Sequence, residues 1–231
     1  MPDRAVTFAD LSLGYGRQAV LTGLDHVVRR GSLTAVVGAN GSGKSTLMRT
    51  IAGILRPIAG RCAIGPNLRL AYLPQQSELD RSFPARTIDL VGLGLWPRRG
   101  LLGRHRAGDR RAVRAALATV GLEDFANIPL DRLSGGQMQR ALFARVLVQD
   151  ADLILLDEPF NAIDSQTVAV LLGLIRHWHA EGRTIMTVLH DLDLAQSHFP
   201  EILRLAGIAE AEPAAAHRGR QALRLAAGGP A

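Results

Sequence analysis

The sequence predicts an α/β domain built on a mostly parallel sheet, with an N-terminal antiparallel β portion and an inserted helical portion. Three observations carry this. Short apolar runs at 33–37, 153–156 and 184–189 have the length and composition of strands buried on both faces, and helical patterns separate them. A Gly-rich loop lies between the first of these runs and a helical pattern. From about residue 77 to 149 the pattern is mostly helical, which interrupts the β/α alternation.

The elements follow in order. Residues 5–13 alternate apolar and polar side chains as a strand does, and 24–30 is placed to pair with it. Leu33–Val37 reads as a buried strand, and Lys44 to Leu55 as a helix stopped by Pro57. Two short strands are expected at 61–64 and 69–73, then helices near 85–95, 110–120 and 135–149. A strand at 153–156, a helix at 165–180, a strand at 184–189, a short helix at 191–197 and a strand at 201–205 close the core. One domain is expected over 1–207, with the helical insertion at about 77–149. Residues 208–231 form an Ala-, Gly- and Arg-rich tail, expected to fray apart from a short helix at 217–227.

Composition excludes several classes. The 231 residues are 47% hydrophobic and 21% charged, enough for one domain with a buried core and a subdomain. Only 4% are aromatic, which argues against a stacking platform for single-stranded nucleic acid. The net charge is +6, but the arginines are spread along the chain. They are densest over Arg98, Arg99, Arg104, Arg106, Arg110, Arg111 and Arg114, either a solvated basic face or a face turned to anionic lipid. The single cysteine, Cys62, forbids an internal disulfide and fits a reducing compartment. The N-terminus carries no signal-peptide apolar core, and no run reaches the roughly 18 apolar residues of a membrane span. A cytosolic chain is the expectation.

Of the 27 Lys plus Arg residues, Lys44 is the only lysine. It sits in Gly38-Ala39-Asn40-Gly41-Ser42-Gly43-Lys44-Ser45-Thr46, which fits the phosphate-binding pattern G-x-x-x-x-G-K-[ST] between a strand and a helix. A chance match at this composition is on the order of one in a thousand. Arg is a rigid planar fork, whereas Lys is a compact charge on a flexible stem that slips between phosphate oxygens. Backbone N–H groups of 41–46 can converge on phosphates, Lys44 can reach the β- and γ-phosphates, and the Ser45 hydroxyl can ligate Mg²⁺. The plain alternative is an ordinary Gly-rich turn.

Leu153-Ile154-Leu155-Leu156-Asp157-Glu158-Pro159 is an apolar strand ending in two carboxylates. Beside a phosphate loop, Asp157 is suited to Mg²⁺ and Glu158 to polarising an attacking water. Without that loop, it would read as a solvated acidic turn. In Leu133-Ser134-Gly135-Gly136-Gln137, Ser134 and Gln137 make a capping box for the helix that follows. Two glycines in a first helical turn cost roughly 1 kcal/mol each against alanine, and capping alone has no need of them. Bare N–H groups at a helix N-terminus make an anion site.

Together, GANGSGKST at 38–46, LSGGQ at 133–137, LILLDEP at 153–159 and His190 resemble the P-loop NTPase domain of ATP-binding-cassette (ABC) transporter ATPases, over about residues 5–207. The resemblance implies ATP hydrolysis with Mg²⁺. Gly38, Ala39, Asn40, Gly41, Ser42, Gly43, Lys44, Ser45 and Thr46 would hold the phosphates, with Ala39 where the family usually has proline. Tyr15 resembles the aromatic that stacks on adenine. Gln75, with Gln76 as the alternative by one residue, resembles the glutamine that senses Mg²⁺ and contacts the membrane partner. Ser45, Gln75 and Asp157 would attend the metal. Glu158 would act as base, and His190 would hold it and the water in line with the γ-phosphate. Asn161-Ala162-Ile163-Asp164 occupies the D-loop; Asn161 stands where serine is usual, and Asp164 keeps the expected acid.

The same resemblance implies a head-to-tail homodimer in which Ser134, Gly135, Gly136 and Gln137 of one copy complete the ATP site of the other. It also implies integral membrane permease subunits, a solute-binding protein reached through them, no nucleic acid, and a peripheral place on the cytoplasmic face of the membrane. A cassette without a fused membrane region is similar to importer subunits. The short 47–75 connection, Phe83-Pro84 and the Trp96–Arg106 stretch resemble the zinc, manganese and iron branch, and Asn161–Thr167 resembles a zinc-import subgroup. Zinc or manganese import is the expectation, with iron-chelate, haem or cobalamin import as runner-up. A soluble ABC ATPase of DNA repair would split the cassette with a coiled coil, and Gln75 to Ser134 is short and without sustained heptads. A translation-type member usually carries two cassettes, and there is room here for one. A non-hydrolysing scaffold would have lost some of Lys44, Asp157, Glu158 and His190, and all four are present.

Overall fold

A sheet of five parallel strands, in the order β5-β6-β7-β3-β8, organises the molecule. These are β3 (Leu33–Val37), β5 (Leu70–Leu73), β6 (Leu153–Asp157), β7 (Thr184–Val188) and β8 (Glu201–Arg204). The computed structural model describes residues 3–16, 18–76, 83–99 and 107–206. The expected tail helix at 217–227, the start of the helical block, and Arg104 and Arg106 lie outside them.

Every residue of β3, β6 and β7 is buried, which is why these strands read as unbroken apolar runs. A second sheet, antiparallel in the order β2-β1-β4, is made by β1 (Arg4–Tyr15), β2 (Gln18–Arg29) and β4 (Ala59–Ile64). Here β2 starts well before the predicted residue 24. Its register with β1 shifts between Phe8 and Leu11 and again towards Gly14, and each shift breaks the alternation on which the sequence reading relied.

The two faces of the parallel sheet are covered differently. Val36, Leu155, Met186 and Val188 pack with Leu47, Met48 and Ile51 of α1 (Lys44–Ile51) and with Val6, Phe8, Leu11 and Leu13 of the antiparallel sheet. Ala35, Val37, Ile154, Leu156 and Ile185 pack on the other side with the remaining helices. There Phe143 of α5 (Gly135–Gln149) stacks on Trp178 of α6 (Ser165–Ala180), ring centroids 5.6 Å apart. α7 (Leu192–His198) precedes β8. Among the described residues, no helix is long and apolar enough to cross a membrane.

Two predicted helices end differently. α1 stops at Ile51 rather than Leu55. Gly53 adopts φ 75°, Gly53 N–H bonds Thr50 C=O, and Ile54 N–H bonds Arg49 C=O, so the glycine terminates the helix before Pro57 can. The helix expected at 85–95 divides into α2 (Thr87–Gly92), a 3₁₀ turn at Leu93–Leu95 and the short α3 (Trp96–Arg99). A Cβ on Gly94 would lie 2.4 Å from the carbonyl oxygen of Arg145, so the turn brings this segment against α5. α4 (Ala107–Thr119) and α5 complete the inserted block.

Leu73 pairs with Leu156, Asp157 with Val188, and Val36 with Val188, so β5, β6, β7 and β3 end level. Their C-terminal loops meet along one edge, the usual place for a ligand on an open parallel sheet.

Candidate nucleotide site

The loop after β3 wraps tightly. A Cβ on Gly38 would lie 2.5 Å from Leu205 O and 2.6 Å from Ser42 Oγ, so no side chain fits there. α1 opens on Gly43 at φ 92°, with no side-chain cap and no acid in its first turn. Its N-terminal N–H groups and the positive end of its dipole therefore face the loop without a partner side chain. Lys44 Nζ donates to the carbonyls of Gly38 and Ala39, each at 2.8 Å. Burial pulls its pKa below the usual lysine value, and the Glu158 and Asp157 carboxylates pull it back up.

Asp157, at the end of β6, is fully buried. A buried carboxylate needs donors, and a hydroxyl donates to each of its oxygens. Ser45 Oγ donates to Oδ1 at 3.0 Å, and the Tyr72 hydroxyl donates to Oδ2 at 3.3 Å. The next residue, Glu158, turns at φ 49°. Gln75 Nε2 donates to its Oε2 at 2.9 Å, Asn161 Nδ2 approaches the same oxygen at 3.4 Å, and His190 Nε2 lies 2.6 Å from Oε1. A carboxylate, an imidazole and a primary amide thus converge beside the Lys44 loop.

A cleft of about 280 Å³ connects these groups. Tyr15, Val20, Asn40, Gly41, Gly43, Lys44, Ser45, Thr46, Glu158 and His190 line it. Tyr15 stands half exposed at the rim, its hydroxyl accepting from Arg49 Nη1 at 3.1 Å and Thr46 Oγ1 at 3.5 Å. Behind Glu158 and His190, Phe160, Val168, Leu189 and Leu194 line a second, mainly apolar hollow of about 260 Å³.

Ser134, Gly135, Gly136, Gln137 and Asp164 are not part of this cleft. They gather at the N-termini of α5 and α6. Gln137 N–H donates to Ser134 Oγ at 3.2 Å and Ser134 N–H to Gln137 Oε1 at 2.9 Å, completing the capping box. Asp164 caps α6, accepting from the N–H and the hydroxyl of Thr167, each at 2.8 Å; these bonds, the backbone one foremost, hold its carboxyl below the usual range. A Cβ on Gly136 would come within 2.9 Å of Thr167 Oγ1 and 3.3 Å of Asp164 Oδ2, whereas one on Gly135 would meet only Ala162 O at 3.6 Å. Capping still has no need of either glycine, but close packing uses one of them. The packing of α5 on the α6 cap requires Gly136, and only Gly135 is left without an internal reason.

The adjacent glutamines divide the two regions. Gln75 reaches Glu158, and Gln76 Nε2 donates to the Gly135 carbonyl at 3.1 Å. The sequence reading missed Tyr72, Val20 and Arg49. Tyr72 had one visible signal, its place at the end of β5 just before Gln75.

The donor set, one hydroxyl and one buried carboxylate, suits a small hard cation shared with phosphates. Among the described residues, no group of three or more His, Cys, Asp and Glu side chains could hold a metal ion by itself.

Comparison with known proteins agrees with this geometry. A family profile described as ABC transporter matches residues 21–161. The manganese transport system ATP-binding protein MntB of Bacillus subtilis is 36% identical over 206 residues, 87% of this chain and 82% of that protein. The zinc transport system ATP-binding protein TroB of Treponema pallidum is 37% identical over 208 residues, covering 87% and 78%. Among solved structures, a dimeric bacterial ABC transporter cassette superposes with a TM-score of 0.75 at 26% identity, over 87% of this chain and 94% of that one. With a phosphate loop, a carboxylate pair and a separate signature helix on one parallel sheet, this chain belongs to the ABC transporter family as an ATP-hydrolysing cassette.

Proposed function

We propose that this cassette powers import of manganese or zinc, hydrolysing Mg-ATP as a head-to-tail homodimer on the cytoplasmic face of a membrane. The observation that carries the chemistry is the convergence of Gln75 and His190 on Glu158, beside Lys44 and the Ser45–Asp157 pair. The cargo rests on the manganese and zinc transport named for relatives that match over most of their length.

Lys44 exchanges its two carbonyl partners for phosphate oxygens, and the α1 N-terminus adds N–H donors. Ser45 and Asp157 would hold Mg²⁺, which would supply positive charge to offset that of the phosphates. Glu158 takes a proton from the attacking water, and its bonds to Gln75 and His190 orient the carboxylate. Tyr15 offers its ring to the base. The signature helix lies outside the cleft, so the second donor set for each ATP comes from another copy. Permease subunits, and through them a solute-binding protein, complete the transporter.

Glu158→Gln tests this. Hydrolysis is expected to fall about 100- to 10,000-fold, while light scattering under saturating Mg-ATP reads twice the monomer mass. A monomer under those conditions overturns the sandwich. Metal uptake by the cassette co-expressed with its permease tests the cargo, with manganese and zinc expected to stimulate ATPase activity over iron-chelate or cobalamin.

A further inference from the structure

We propose that Tyr72 is a positioning residue for the Mg²⁺ site, holding the Asp157 carboxylate in its working orientation. The inference rests on the Mg-ATP reading above and concerns a residue outside the phosphate loop and the carboxylate pair.

Asp157 has two oxygens, no exposure, and a different donor on each. Ser45 serves Oδ1, and in this reading the same hydroxyl oxygen also offers a lone pair to Mg²⁺, so it answers to two partners. The Tyr72 hydroxyl on Oδ2 is under no such demand. It fixes the carboxylate plane through the second oxygen. A carboxylate held by one donor outside the metal's reach keeps its lone pairs aimed and its charge stabilised, which is how outer hydrogen bonds tune a metal site.

Tyr72 is itself held firmly. It pairs with Leu155 in the parallel sheet, and its ring packs half-buried against the core beneath α1. Its carbonyl accepts from Arg145 Nη2 of α5 at 3.3 Å. Phenylalanine would satisfy the packing equally well. The hydroxyl is the part that packing does not explain.

Tyr72→Phe removes that oxygen and leaves the ring. Nucleotide binding should be followed by fluorescence against Mg²⁺ concentration, and against EDTA for the metal-free limit, with Mn²⁺ and ATP as a second, spectroscopic reading of metal affinity. The expected result is a roughly 10- to 100-fold rise in half-saturating metal, with metal-free ATP affinity within twofold of the unaltered protein. Unchanged metal dependence in Tyr72→Phe overturns the inference. So does equal loss of metal-free binding, which would mark Tyr72 as a fold residue only. An unaltered protein whose nucleotide binding ignores Mg²⁺ overturns the Mg-ATP reading first, and this inference with it.

Discussion

Two helix N-termini in this chain follow glycine-rich sequences, and they are finished in opposite ways. α1 opens on a left-handed glycine with no side-chain cap, and its loop lysine bonds the loop's own carbonyls. α5 opens on a closed capping box, with Gly136 pressed against Thr167 and Gly135 bonded to Gln76 through its carbonyl. The first is an anion site left open by its own chain. The second is nearly satisfied internally, with spare capacity only around Gly135. On the proposed reading the difference is a division of labour, in which the phosphate loop supplies affinity within one copy and the signature helix adds donors to an ATP held by another.

The comparison can be broken most severely at the open end. Lys44→Ala should lower turnover about 100- to 1,000-fold, with loss of nucleotide binding by a single copy. Near-normal turnover would remove the phosphate loop from the site. At the closed end the glycines should separate. Gly136→Ala should cost about 1–3 kcal/mol of stability, because Thr167 must yield and its bond to Asp164 with it. Gly135→Ala should leave the melting temperature unchanged or raised while lowering ATPase activity. Equal destabilisation by both would show that the two glycines share one role. Ser134→Ala should cost about 1 kcal/mol through loss of the cap. Its monomer should still bind nucleotide normally by equilibrium fluorescence, and weakened monomer binding would mean that the two ends are not separate.

Much of this was legible in the sequence, for reasons that vary by element. α5 and α6 begin where Ser134 and Asp164 cap them, and such side chains are explicit signals. β3, β6 and β7 announce themselves because both their faces are buried. The end of α1 was misread because Pro57 looks like the stronger stop, while the αL turn at Gly53 depends on backbone bonds that no pattern displays. The break at Gly94 is set by Arg145, far away in sequence. Within the site, Lys44, Ser45, Asp157 and Glu158 lie in recognisable motifs. Tyr72 lies in none, because its approach to Asp157 comes from the sheet register that sets β5 beside β6. The choice between Gln75 and Gln76 likewise needed three dimensions. After β5, two adjacent, identical side chains point in different directions, one to Glu158 and the other to Gly135.

β3 lies between β7 and β8, and Leu205 O stands where a Gly38 side chain would be. Both neighbours of the phosphate-loop strand are thus the last strands of the sheet to leave the ribosome. The loop is translated early and walled in late, after more than half of the described chain has been made. Such long-range pairing is slow to form. C-terminal truncations that reach β8 should therefore appear first as loss of ATP binding.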